Sequence, residues 1–364
     1  MRKPLRPLRL KKWCKMNYQA SYIKHELQFL KPARTSRGEM QTHSVYYITL
    51  NNGNAIGTGE SAPLKGLSID AIDGLEKTIK QFCLQINEGF HPLELDIEKF
   101  PSVRFAFECA LKGLENSTEH ILFDTDFIKG KGIPINGLVW MDSSDEMLKQ
   151  AFKKVEEGFE CIKFKVGALD FDEECRMLET FRKKYSHSKT EIRLDANGAF
   201  TTDEALRKLK ELSRFDIHSI EQPIKSKQVE MMQEICASSK IPIALDEELI
   251  GADVMTEGKI LLQFIKPQYL ILKPTLLGGF TLSEQWIKYA DELNIGWWAT
   301  SALESNIGLN AIAQWTSSLQ TSLPQGLGTG SLYKNNIQSP LKVKAGFVFY
   351  ENNLKWQSLN ELEE

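Results

Sequence analysis

The sequence predicts an α/β protein in which a parallel (β/α) barrel follows a smaller α+β unit. After Gly132, short apolar strands alternate with amphipathic helical stretches, the pattern of consecutive parallel β/α units. Before Gly132, strand-like alternation comes first and helical periodicity second, without that repeat. A chain of 364 residues suits such a division, because single hydrophobic cores stop growing at roughly 250–300 residues.

Residues 1–15 carry seven Lys or Arg and precede Met16. No apolar stretch follows the basic residues, as a secretory signal would require, so they are expected to be a disordered extension or a misassigned start. SYIKHELQFL (21–30) and THSVYYITL (42–50) then read as two strands. The connector KPARTSRGEM (31–40) reads as a loop, made cationic by Arg34 and Arg37. NNGNAIGTGESAPL (51–64) reads as a turn followed by a Gly-rich strand. Helical periodicity runs from about Ser68 to Asn87, and again from Pro101 to Glu115, where Pro occupies the first helical position.

Seven barrel strands are expected within PINGLVWM (134–141), CIKFKV (161–166), EIRLD (191–195), IHSIEQP (217–223), PIALDEE (242–248), YLILKP (269–274) and IGWWATS (295–301). A weaker eighth lies near LPQGLGTG (323–330). Stretches such as 203–215 and 281–293 supply the intervening helices.

Composition narrows the function. With 42% hydrophobic and 26% charged residues the chain reads as globular rather than disordered. A net charge of −3 offers no general attraction to nucleic acid or anionic membrane, which leaves small molecules as the expected partners. No apolar run approaches the roughly 20 residues of a membrane span. The six cysteines form neither a CxxC pair nor a zinc-finger spacing, and reduced thiols in a cytoplasm are expected.

The chemistry is concentrated where the strands end. Lys163 and Lys165, then Asp195, Glu221, Asp246, Lys273 and Ser301, close the second to seventh strands at intervals of roughly one β/α unit, so they converge on one barrel mouth. Asp195, Glu221 and Asp246 offer hard oxygen ligands suited to an octahedral divalent ion such as Mg²⁺. Glu247 and Glu248 follow Asp246 directly, and position alone does not decide among the three. Any one strand-end Asp is ordinarily a helix N-cap; three in consecutive units are better explained by a shared centre.

The period of two puts Lys163 and Lys165 on one side of their strand, opposite Ile162, Phe164 and Val166. If those apolar residues face the helices, the lysines point into the barrel. A crowded, partly desolvated lysine is expected to have a lowered pKa and to serve as a base. Lys273 enters from the opposite side, as an electrophilic partner or a structural ion pair. Lysines across a carboxylate-bound cation suit removal of a proton α to a carboxylate, the known pattern of lysine base and Mg²⁺.

KFK (163–165), LDANGAF (194–200), IEQPI (220–224), ALDEE (244–248) and LKPTLLGG (272–279) together resemble the enolase superfamily, particularly its muconate-lactonizing subgroup. GESAPL (59–64) and PSVRFAFECAL (101–111) extend the likeness over nearly the whole chain from Met16. The resemblance implies a modified (β/α)7β TIM-like barrel over 131–335 and an α+β capping domain over 16–130, to which 336–364 return. The absence of His after His218 sets the chain apart from mandelate-racemase-like members, and GLGTGSLY lacks the acidic pair of dipeptide epimerases.

TSALESNIGLNAIAQW (300–315) and LPQGLGTGSLY (323–333) are similar to the o-succinylbenzoate synthase family of menaquinone biosynthesis. Its members dehydrate 2-succinyl-6-hydroxy-2,4-cyclohexadiene-1-carboxylate to 2-succinylbenzoate through an enediolate. The resemblance implies Mg²⁺, with Mn²⁺ as an alternative, on Asp195, Glu221 and Asp246. It implies Lys165 as the base and later acid, Lys273 as a cation over ring and enediolate, and Lys163 as a support for negative charge. Asn197, Ser301, Gly328, Thr329 and the cap-loop Arg34 are the implied substrate contacts.

Other readings are an N-succinylamino acid racemase or dipeptide epimerase on the same scaffold, a noncatalytic barrel, and a Schiff-base aldolase. A noncatalytic barrel would have lost a ligand or a lysine, and none is missing. The three carboxylates argue against the aldolase. Oligomeric state is not legible.

Overall fold

The computed structural model describes residues 18–35, 38–319 and 321–362. Residues 1–15 and Arg37 lie outside this set, as does the side chain of Arg34.

β1 (Gln19–Thr35), β2 (Gly38–Asn51) and β3 (Ile56–Ser61) form an antiparallel sheet in that order. The connector expected as a loop is instead mostly paired: after a register shift between Gln28 and Ala33, the ladder resumes at Ala33↔Met40 and Arg34↔Glu39. The shift has a local cause. Pro32 has no N–H to give, and Leu30 N instead donates to Leu332 O at 2.8 Å. Helix α1 (Leu75–Asn87) is shorter than its periodicity suggests, for Gly74 at its start has φ 89° and residues 64–72 form successive turns. Asp70 in those turns accepts from Ser102 N and Oγ at 2.8 and 2.6 Å, at the start of α2 (Pro101–Glu115).

Gly57 and Gly59 let α2 lie against β3. A Cβ at either would stand 1.9 Å from the carbonyl oxygen of Ala110 or Ala106, which no side chain tolerates.

The remaining strands β4 (Ile133–Pro134), β5 (Gly137–Val139), β6 (Cys161–Lys165), β7 (Glu191–Asp195), β8 (Ser219–Glu221), β9 (Ile243–Leu245), β10 (Tyr269–Leu272) and β11 (Gly296–Ala299) lie where the apolar runs predict. β5 to β11 make a seven-stranded parallel sheet in sequence order. Single parallel bridges, Thr300↔Gly326 and Ile135↔Gln325, close it into a barrel, so the weak eighth strand is one of bridge length. Around it run α3 (Ser144–Glu156), α4 (Phe171–Lys184), α5 (Thr202–Leu212), α6 (Val229–Ser238), α7 (Lys259–Ile265), α8 (Pro274–Leu277), α9 (Phe280–Glu292) and α10 (Asn306–Ser318). Ile162, Phe164, Ile192, Leu194 and Ile220 are fully buried in the cluster between strands and helices, which leaves the alternate residues of those strands to fill the interior. The chain ends in the hairpin β12 (Leu341–Lys344) and β13 (Phe347–Tyr350), which pairs with β4. Val348 and Tyr350 join the barrel core, whereas Ile337 and Leu359 pack with residues of the first sheet.

Two buried carboxylates tie cap to barrel. Glu60 of β3 accepts from Ser305 N, Ser305 Oγ and Gly308 N at 2.7, 2.6 and 2.7 Å, at the start of α10. Burial pushes its carboxyl up to about 7, against these donors. Glu108 of α2 accepts from Phe280 N and Thr281 N at 2.6 and 3.1 Å, at the start of α9. Both carboxylates meet the unpaired N–H groups and positive dipole end of a helix. The loop leading into α10 is thereby held over the barrel mouth. Deeper inside, Arg193 stacks on Trp298, its guanidinium carbon 4.0 Å from the ring centre, and bonds Glu191 at 2.8 Å and Pro324 O at 2.7 Å. No described helix is long and apolar enough to cross a membrane.

Candidate active site

The barrel register brings the strand-end residues together. Lys165 lies opposite Asp195, and Asp195 opposite Glu221, across β6, β7 and β8. Glu221 pairs with Ala244, which sets Asp246 two residues further along and on the same face. Lys273 follows β10, four strands from β6 in the sheet order, so it reaches the centre from the side opposite Lys165.

Lys163 Nζ lies 2.5 Å from Glu221 Oε2 and 3.0 Å from Asp195 Oδ2. Lys165 Nζ lies 3.0 Å from the same Asp195 oxygen and donates to Asn197 Oδ1 at 2.7 Å. Lys273 Nζ bonds Asp246 Oδ2 directly and stands 3.7 Å from Glu221 Oε1. All three lysines and all three carboxylates are buried. Asn197, with φ 45°, turns the chain after β7 so that its Nδ2 also donates to Glu247 Oε1 at 3.0 Å.

Of the three consecutive acids, Asp246 is the one at the lysine cluster. Glu247 is taken up by Asn197, and Glu248 turns away, accepting from Lys227 N at 2.9 Å and Gln222 Nε2 at 3.2 Å.

Burial alone would raise the Asp195 carboxyl, but Lys163, Lys165 and Lys273 outweigh it and hold Asp195 below the usual carboxylate range. The lowered lysine pKa expected from crowding is corrected for Lys163, and Lys273 shifts in the same upward direction. Burial does pull both down, yet Asp195 and Glu221 at Lys163, and Asp246 and Glu221 at Lys273, pull harder and raise them. Burial pushes Asp246 well above its ordinary value; Lys273 opposes this, while Glu247 and Glu221 add to it.

Among the described residues the carboxylates do not converge on one point, because Lys163 and Lys273 stand between them. The donor set nevertheless suits a small hard dication. It is all carboxylate oxygen, it is buried, and Glu221 Oε1 makes no hydrogen bond. Asp195, Glu221 and Asp246 fit Mg²⁺ as ligands.

Above this cluster opens a cavity of about 630 Å³, within the range of small-molecule sites. Lys163, Lys165, Asp195, Asn197 and Lys273 line its floor, and Ser301, Gly328 and Thr329 one wall. Ser301 Oγ and Thr329 Oγ1 are bonded to each other at 2.6 Å. The cap contributes Met40, Leu64 and Leu67, with Asn136, Leu138 and Trp140 on the barrel side. Trp140 presents its ring to Lys165, with Nζ 5.9 Å from the centroid. Sequence reasoning missed these last three, although their alternation in PINGLVWM carries the same period-two signal that marks the lysines.

Residues 146–352 match the family described as enolase C-terminal domain-like. An o-succinylbenzoate synthase from Desulfotalea psychrophila is 41% identical over 362 residues, covering 91% of this chain and 98% of that one. The chain belongs to the enolase superfamily. As a superfamily member its barrel and cap superpose on the crystal structure of MenC from Desulfotalea psychrophila with a TM-score of 0.83 at 38% identity, covering 92% of this chain and 99% of that one. The fold is also that of a dipeptide epimerase from Enterococcus faecalis complexed with Mg and the dipeptide L-Leu-L-Tyr, with a TM-score of 0.80 at 18% identity over 92% of this chain and 96% of that one.

Proposed function

We propose that this superfamily member is an o-succinylbenzoate synthase, a hydro-lyase of menaquinone biosynthesis. The observation that carries the reading is the 41% identity to such a synthase along nearly the full length of both chains. The buried lysines facing one another over three carboxylates support it.

Asp195, Glu221 and Asp246 would hold Mg²⁺, and Mn²⁺ has the same preference for oxygen ligands. The cation supplies positive charge where the substrate carboxylate gains negative charge as its α proton leaves. Lys165, in its neutral form, takes the proton from C1 of 2-succinyl-6-hydroxy-2,4-cyclohexadiene-1-carboxylate. The C–H electron pair passes into the carboxylate as an enediolate. It then returns to form the C1–C6 double bond as the C6 hydroxyl departs, and protonated Lys165 gives that group the proton that makes it water. The ring is left aromatic as 2-succinylbenzoate.

Asn197 and Asp195 hold Lys165 Nζ on the side facing the cavity. Lys163 keeps positive charge beside Asp195 and Glu221. Lys273 faces the ring from across the barrel and, with a raised pKa, stays cationic throughout. Ser301, Gly328 and Thr329 border the space for the succinyl arm, with Arg34 proposed as a further contact from the cap.

Two opposed lysines also suit racemisation, one removing a proton and the other returning it to the opposite face. Parallel assays of diene dehydration and of optical-rotation loss from N-succinyl amino acids separate the two uses. Dehydration is expected to be the faster by at least about tenfold, a difference of only about 1.4 kcal/mol in barrier. Rapid racemisation with no dehydration would move the assignment to the racemase.

A further inference from the structure

On β2 the buried residues Val45 and Tyr47 pack with Leu64, Ala302 and Leu303 in the cluster that joins the first sheet to the barrel mouth. By the period of two, His43 shares the face of Val45 and Tyr47, and it is only 6% exposed. A ring with two polar atoms therefore stands where an apolar side chain would be expected.

Those two atoms face the carbonyls of two different loops. His43 Nδ1 lies 3.1 Å from Leu303 O of the barrel, and Nε2 lies 3.3 Å from Pro63 O of the cap. Both loops border the active-site cavity, which Leu303 and Leu64 line. Burial outweighs the two carbonyls and pushes His43 down to about 4, so near neutral pH the ring carries one N–H and can donate to one of them. Leu303 O is the closer.

Leu303 is also the residue that needs holding. Its φ of 66° is left-handed, a conformation that a bulky side chain keeps only where its surroundings impose it. Tyr333 Oη, 3.4 Å from His43 Nδ1, donates to the same Leu303 oxygen at 2.5 Å, with its ring packed on Phe29 of β1. At the other end of the residue, Leu303 N donates to Ser301 Oγ at 3.2 Å, and Ser301 Oγ bonds Thr329 Oγ1 at 2.6 Å. If the turn relaxed to negative φ, Leu303 N would leave Ser301, and the hydroxyl wall of the cavity would lose a support.

We propose that His43 is a positioning residue for substrate binding: from the cap it holds Leu303 O, and through Leu303 it fixes the Ser301 and Thr329 wall of the cavity. The inference rests on the functional reading above for the identity of the substrate. It gives His43 no part in proton transfer, which Lys165 performs on the far side of the cavity floor.

Steady-state dehydration kinetics on folded, Mg²⁺-loaded variants test this. His43→Leu suits the apolar cluster but has no donor; it should raise KM about tenfold, the effect of about one lost buried hydrogen bond, and lower kcat by less than about threefold. His43→Asn places an amide near the position of Nδ1 and should recover most of the loss, whereas His43→Gln reaches toward Pro63 and should not. If His43→Leu does not fold, Tyr333→Phe removes the second donor to Leu303 O with little change of shape and should show the same rise in KM. Folded variants with the wild-type KM, a loss confined to kcat, or equal recovery by His43→Asn and His43→Gln would overturn the inference alone. A wild-type protein that neither binds 2-succinylbenzoate nor forms it would overturn the functional reading and the inference with it.

Discussion

Lys165→Ala is expected to lower turnover by about a thousandfold or more while the protein stays folded. The size follows from two roles lost at once, proton removal and proton return, each general acid–base step contributing about 10² to 10⁴. The fold survives because Asp195, the carboxylate left by Lys165, keeps Lys163 at 3.0 Å. Lys165→Arg separates charge from basicity. It keeps a cation beside Asp195, but a guanidinium does not give up its proton near neutral pH, so it should be as inactive as Ala. Single-turnover rates with circular dichroism as the folding control check this. Either variant retaining more than about a tenth of the wild-type rate would remove Lys165 as the base, since so small a loss is below what a base contributes.

Exhaustive chelation of divalent metal is expected to bring turnover to background, and restoring Mg²⁺ to bring it back. Asp195, Glu221 and Asp246 are buried together, and Asp246 is pushed up by burial and by Glu247 and Glu221 despite Lys273. A fourth carboxylate, that of the substrate, enters such a site only if positive charge offsets it. Circular dichroism serves as the folding control in the chelated state. Activity that persists after chelation to below the protein concentration would contradict the assignment.

The convergence of the strand-end side chains was legible in the sequence because a parallel barrel maps sequence onto space simply. One β/α unit brings the chain back to the same mouth, and a period of two decides which side chains face inward. Lys163, Lys165, Asp195, Glu221 and Lys273 follow from those two regularities, which leave Asp246, Glu247 and Glu248 as alternatives at the fifth strand. What was not legible depended on contacts between distant residues. Glu248 is removed from the site by Gln222 and the backbone of Lys227, and neither contact leaves a periodic mark. The pairing through residues 33–40 depends on where β1 finds Leu332 as a partner, some 300 residues away. The direction of the Lys163 and Lys273 shifts depended on carboxylate distances of a few ångströms, which spacing does not supply. Asn136, Leu138 and Trp140 were readable by the same period of two, but they are neutral, and the charged positions drew the reading.

The central claim is that this chain dehydrates 2-succinyl-6-hydroxy-2,4-cyclohexadiene-1-carboxylate. Its most direct test is the loss of the cyclohexadiene absorbance on adding purified protein with Mg²⁺, with the product identified by mass. The account predicts rapid, metal-dependent conversion to 2-succinylbenzoate with release of one water per turnover. A folded, Mg²⁺-loaded protein that leaves the diene absorbance unchanged would contradict it.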